Sequence, residues 1–126
     1  MSKRITGIVQ KNIGRGTKLG FPTANIDLND KDIGDGIYVA LTQSGNERFK
    51  SLAFVGAAET FGQSEKKLEV YILDFNRDIY GHQISVQLLE KLRDNQKFTS
   101  ESELIAQMKT DEKQAREFFK TYGRIE

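Results

Sequence analysis

With 126 residues, nineteen Lys and Arg against eighteen Asp and Glu, one proline, one histidine and no cysteine, the chain has room for one domain with one core and no net field that recommends nucleic acid or an anionic membrane as partner. Lacking cysteine, it cannot form disulfides, thiolate metal sites or a cysteine nucleophile, which suits a reducing cytosol; the lone His82 has no second histidine for a triad or a multi-histidine metal site. The N-terminus is polar, without a signal-peptide apolar region, and no apolar run approaches the roughly 20 residues needed to span a bilayer, so the expectation is a cytoplasmic protein.

Residues 4–10 (RITGIVQ) are rich in β-branched side chains and read as the first strand. They belong to a locally positive opening: up to residue 26 there are five basic residues and no acid, residues 27–86 carry six basic and ten acidic, and the remainder is eight against eight. Within that opening comes GRGTKLGFPTANI, residues 14–26, which holds three glycines and the only proline. The spacing Gly14-x-Gly16-x-x-x-Gly20 is neither a dinucleotide fingerprint nor a Walker loop. Pro22 pushes Phe21 toward extended geometry, so no helix N-terminus waits behind the loop and any phosphate must be held by amides, cations and a metal.

The residue types fit that task. Gly14, Gly16 and Gly20 let backbone amides approach an anion with no Cβ in the way, and Arg15 and Lys18 add positive charge. Thr23 and Asn25 are two apart, so an extended segment directs both to one side. Their hydroxyl and carboxamide oxygens are hard ligands suited to Mg²⁺, which completes its shell with phosphates and water, and Pro22 fixes the approach. The alternative on spacing alone is a glycine hairpin followed by an Asx turn.

Residues 36–42, 49–55, 67–74 and 83–89 read as further strands, separated by turn chemistry at Asp35-Gly36, Ser44-Gly45-Asn46 and from Asn76-Arg77-Asp78 to Tyr80-Gly81. No helical pattern intervenes to make parallel crossovers, so five or six such strands predict an antiparallel meander or Greek key closed into a barrel. In 67–74, alternation sets Leu68, Val70 and Ile72 on one face and Glu69, Tyr71 and Leu73 on the other, which partly encloses Glu69 among apolar neighbours. Ser100 with Glu103 has capping-box spacing, and Leu104, Ile105, Met108, Ala115, Phe118, Phe119 and Tyr122 continue an apolar face to Gly123. The polar Thr110-Asp111-Glu112 predicts a kink or a second cap, hence one broken helix or two.

GRGTKLGFPTANI, with Gly7-x-Val9 before it, LEVYILDFNRDIYG at 68–81, LRDNQKF at 92–98 and LIAQMKTDEKQAR in the helical region, together resemble the riboflavin kinase family over nearly the whole chain and in the same order. The resemblance implies a mainly β fold, a six-stranded antiparallel Greek-key barrel with a C-terminal helix, forming a single kinase domain over 1–126. It implies transfer of the γ-phosphoryl of MgATP to the 5′-hydroxyl of riboflavin, giving FMN and ADP, with Mg²⁺ as cofactor, riboflavin, FMN, ATP and ADP as partners, no nucleic acid or membrane, and a monomer. It implies that Thr23 and Asn25 serve the metal and phosphates, that Glu69 is the catalytic carboxylate accepting the alcohol proton, and that Arg93 lies on the flavin side. Tyr80-Gly81 resembles a structural hairpin turn.

The chain departs from the family pattern in two places. Asn-Ile-Gly followed by Arg-Pro-Thr-Phe is commonly found where this sequence has Phe54 to Phe61 (FVGAAETF), and Asn95 stands where an acidic residue is frequent. These changes bear on substrate affinity and loop rigidity, and they motivate a second reading, a catalytically silent flavin- or nucleotide-binding barrel. A third is a barrel used only for protein contacts. Many bacterial members carry an adenylyltransferase domain in front of the kinase; this sequence contains none of it, so it is read as a kinase that stands alone or is taken from such a chain.

Overall fold

Short stretches alternating apolar and polar side chains form six antiparallel strands in the computed structural model, which describes residues 3–10, 23–28, 33–60, 63–75 and 77–122, with the backbone alone at 57–60 and 63–65. The strands are β1 (Lys3–Ile8), β2 (Ala24–Asp27), β3 (Gly36–Ser44), β4 (Glu47–Thr60), β5 (Gln63–Ile72) and β6 (Gln83–Arg93), followed by the helix α1 (Glu101–Thr121). They pair in the order β1-β6-β3-β4-β5-β2. The successive hairpins β3-β4-β5, with β6 returning beside β3, make the expected Greek key. Beyond β1, the Gln10 amide donates to the Asn25 carbonyl at 2.8 Å. That bridge draws the two outer strands together and nearly closes the barrel.

Leu68, Val70 and Ile72 face the interior with Ile26, Ala53, Val55, Ile84 and Val86. Each fully buried aliphatic chain there stabilises the fold by about 1.5–3 kcal/mol. The outward face of β3 and β4 is also apolar, because Ile37, Val39, Leu41 and Leu52 lie under Ala115 and Phe119 of α1. Two glycines are required by geometry. Gly45, at φ +61°, opens the two-residue β3–β4 turn. Gly36, at φ +150°, lies so close to β6 that a Cβ would meet the Arg93 carbonyl at 2.8 Å.

Two expectations are revised. The hairpin of β4 and β5 is longer than the sequence predicts: pairing continues to Thr60 opposite Gln63, so residues 54–59 lie in a strand. And α1 is unbroken from Glu101 to Thr121. Ser100 is its N-cap, accepting from the Glu103 amide at 3.2 Å, while the Glu103 carboxylate reaches back to Thr99 instead of Ser100. Thr110 donates to the Ala106 carbonyl within the helix at 3.1 Å, and Asp111, completely buried, is held by Arg93 of β6 and by Gln107 one turn earlier. The polar triplet is therefore a buried anchor point and does not start a second helix. Gly123, proposed to end the helix, lies outside the described residues.

Candidate active site

Strand register assembles the site. Directly paired residues project to one face, and five strands pass through a single cross-strand row: Arg93 of β6 opposite Ile37 of β3, Ile37 opposite Phe54 of β4, Phe54 opposite Glu69 of β5, and Glu69 opposite Asn25 of β2. Since Leu68 and Val70 point inward, this row points outward. Arg93 and Glu69 are three strand spacings apart, roughly 14 Å along the sheet.

At the β2 end, Thr23 precedes the strand and its Oγ1 donates to Glu69 Oε1 at 3.3 Å. Asn25 is 2% exposed. Thr23, Asn25 and Glu69 therefore meet although a long stretch of chain separates them. The Thr23 bond is long for an O–H···O interaction, and it is the only hydrogen bond to the Glu69 carboxylate among the described residues. Burial pushes the Glu69 carboxyl above its usual pKa, and the Thr23 hydroxyl offsets part of that rise. A half-buried carboxylate held by one neutral donor retains lone pairs and an increased appetite for a proton, the properties of a general base.

Beside it, Thr23 and Asn25 supply neutral oxygens. That donor set fits Mg²⁺, which takes few protein ligands when phosphates and water complete its shell. Among the described residues no group of three or more His, Cys, Asp or Glu side chains could hold a metal ion by itself. Gly14, Arg15, Gly16, Lys18 and Gly20, and with them Pro22, lie outside the described residues. His82 is exposed in the turn before β6, where its carbonyl accepts from the Val9 amide at 2.9 Å, as expected of a turn residue.

At the other end of the row, Arg93 is committed to α1. Its Nε and Nη2 donate to the two Asp111 carboxylate oxygens at 2.9 and 2.7 Å, and Nη1 donates to the Asp94 carbonyl at 3.1 Å. Gln107 adds a donor to Asp111 at 3.0 Å. Sequence reasoning missed this partner, although a lone carboxylate between Met108 and Ala115 on an apolar helix face was a usable signal. It also missed a second tie. The Tyr71 hydroxyl donates to Glu112 at 3.0 Å, and Arg116 joins Glu112 to Asp74. Burial, then the Glu112 hydrogen bond and charge, push the Tyr71 phenol up to about 12.

Asn95 donates its amide to the Val55 carbonyl at 3.0 Å. Residues 93–95 are in this way fastened to both the helix and β4.

The riboflavin kinase family model matches residues 2–119. The bifunctional riboflavin kinase/FMN adenylyltransferase of Escherichia coli K12 is 38% identical over 117 residues, covering 91% of this chain and 37% of that protein. A Streptococcus pneumoniae macrolide-efflux protein has a crystal structure that superposes with a TM-score of 0.80 at 38% identity, covering 90% of this chain and 38% of the other. The riboflavin kinase from Trypanosoma brucei superposes with a TM-score of 0.66 at 25% identity, covering 95% of this chain and 81% of the other. The chain spans less than half the length of the curated relatives it matches.

Proposed function

We propose that this chain, which belongs to the riboflavin kinase family, phosphorylates riboflavin at the expense of MgATP. The observation that carries the reading is the 3.3 Å contact between Thr23 Oγ1 and Glu69 Oε1, with Asn25 paired across from Glu69. It supports a nucleotide-side pair of oxygens and a base sharing one outward-facing patch. The riboflavin 5′-hydroxyl oxygen attacks the γ-phosphorus of ATP, the bond from that phosphorus to the β–γ bridging oxygen breaks, and ADP departs. Glu69 accepts the alcohol proton as the new oxygen–phosphorus bond forms. Because the transferring group passes through a loose, charge-dispersed state, most of the acceleration comes from positioning and electrostatics.

Thr23 and Asn25 are assigned as the residues that hold Mg²⁺, which supplies charge neutralisation on the phosphates when bound. Gly14, Gly16 and Gly20 are assigned to the phosphates through their amides, with Arg15 and Lys18 as cations. Arg93 is assigned to the flavin side, where a guanidinium plane fixed by Asp111 is suited to stacking on an aromatic ring. The reading includes a monomeric protein with no nucleic-acid partner, acting in the cytoplasm.

Incubation with riboflavin and ATP, CTP or no donor, followed by chromatography, tests it. FMN is expected with ATP and Mg²⁺ and is lost when a chelator removes the metal. Flavin binding without FMN under any donor would establish the silent module in its place.

A further inference from the structure

We propose that Asn95 is a positioning residue for the flavin substrate: its side-chain amide fastens the connection between β6 and α1 onto β4 and so fixes the wall of the acceptor site. The inference rests on the riboflavin kinase reading. Asn95 Nδ2 donates to the carbonyl of Val55 at 3.0 Å. Val55 adjoins Phe54, the residue directly opposite Glu69, so the fastening point lies one residue from the row that carries the base.

The approach depends on Gly56. A Cβ there would come within 3.1 Å of Asn95 Nδ2, closer than most real Cβ contacts, so glycine leaves the space the amide uses. On its other side the connection is held by Arg93, whose guanidinium grips Asp111 and also donates to the Asp94 carbonyl. Three consecutive residues are thus tied, the first to α1, the second to the guanidinium and the third to β4. Arg93 and Asn95 together set where this connection stands against the barrel.

Only an amide or another donor can make the Val55 contact. A carboxylate of the same shape would set an acceptor oxygen where the amide nitrogen is and repel the carbonyl oxygen. Asn95→Asp is therefore an isosteric test that reverses the sign of the interaction. A lost neutral hydrogen bond corresponds to roughly a two- to tenfold change in an equilibrium constant.

The experiment compares wild type, Asn95→Asp, Gly56→Ala and the double variant. It measures the riboflavin dissociation constant by fluorescence quenching, KM for riboflavin and for ATP, kcat, and the thermal midpoint. The expected result is a roughly two- to tenfold rise in riboflavin Kd and KM for either single variant, with kcat and the ATP KM nearly unchanged. The double variant should be no worse than the poorer single one, because both changes release the same contact. A fall in thermal midpoint with unaltered riboflavin affinity, equal losses for both substrates, or additive effects in the double variant would overturn the proposal. Gly56→Ala keeps it testable should Asn95→Asp not fold. Wild-type protein that quenches riboflavin but yields no FMN sinks the kinase reading, and the Kd series then decides the latch alone; wild-type protein that binds no riboflavin overturns both.

Discussion

Glu69 and Asp111 are both carboxylates withdrawn from water on the outer side of the barrel, and they are treated in opposite ways. Asp111 is completely buried and receives three donors, two from Arg93 and one from Gln107. Glu69 is half-buried and, among the described residues, receives one long hydrogen bond from a neutral hydroxyl. A saturated carboxylate is an anchor, because its lone pairs are spent and its charge is balanced. An undersupplied one is stabilised by taking up a proton. The contrast separates the part of the surface that holds α1 in place from the part to which we assign the chemistry.

The largest break in that contrast comes from removing Glu69, the carboxylate proposed as base. Glu69→Gln is expected to lower kcat by roughly 10²- to 10⁴-fold with little change in riboflavin quenching. Near wild-type turnover would strip Glu69 of its role. The same variant is expected to raise stability at neutral pH. The folded-state pKa of Glu69 stands above its unfolded value, so its contribution to stability declines as pH rises through that interval, and a neutral amide removes the penalty. Urea unfolding of the two proteins at neutral pH checks the sign.

Arg93→Met should act in the opposite direction, since it leaves the Asp111 charge enclosed without its main partner. The expected loss is about 3–5 kcal/mol in urea unfolding. A loss within experimental error would show that the pair is dispensable.

Tyr71→Phe removes one hydrogen bond to Glu112 and should cost about 1 kcal/mol. In the unaltered protein the phenol stays neutral to about 12, so stability is expected to fall as pH climbs from the usual tyrosine range toward that value. Ultraviolet tyrosinate absorbance locates the transition, and an ordinary midpoint for Tyr71 would contradict the half-buried contact with Glu112.

The finest adjustment concerns Thr23. Its hydroxyl lowers the Glu69 pKa, so Thr23→Val should move the acid limb of kcat/KM to higher pH, the rate being lost as pH falls through the base's pKa. It should also weaken use of MgATP. A pH profile that superposes on wild type would separate Thr23 from Glu69 in solution.

Much of the fold was legible because its signals are local. Alternation in 67–74 sets Leu68, Val70 and Ile72 on the face opposite Glu69, and the structure turns the first of these faces inward. Turn residues marked most strand ends, and Ser100 marked the helix start. The failures lie where a distant partner decides. Thr110-Asp111-Glu112 reads as a helix break until Arg93 arrives from β6 to neutralise the buried carboxylate. The predicted strands stop at residue 55 and resume at 67, whereas the ladder of β4 and β5 continues to Thr60 opposite Gln63. Arg93 was legible as a notable cation, but nothing near it in the chain showed that Asp111 would occupy it.

The site divides the same way. Thr23 and Asn25 stand out as candidates for their oxygen chemistry behind Pro22, and Glu69 through a family resemblance joined to strand alternation. Their meeting was not deducible from spacing, because register between β2 and β5 depends on how the whole sheet closes. By itself the sequence determined which residues could face the core, cap the helix or offer oxygens to a cation, since backbone periodicity and side-chain chemistry are properties of neighbours along the chain. Only the tertiary structure decided which carboxylate is quenched and which is left hungry for a proton, because desolvation and charge pairing depend on groups brought together from across the fold.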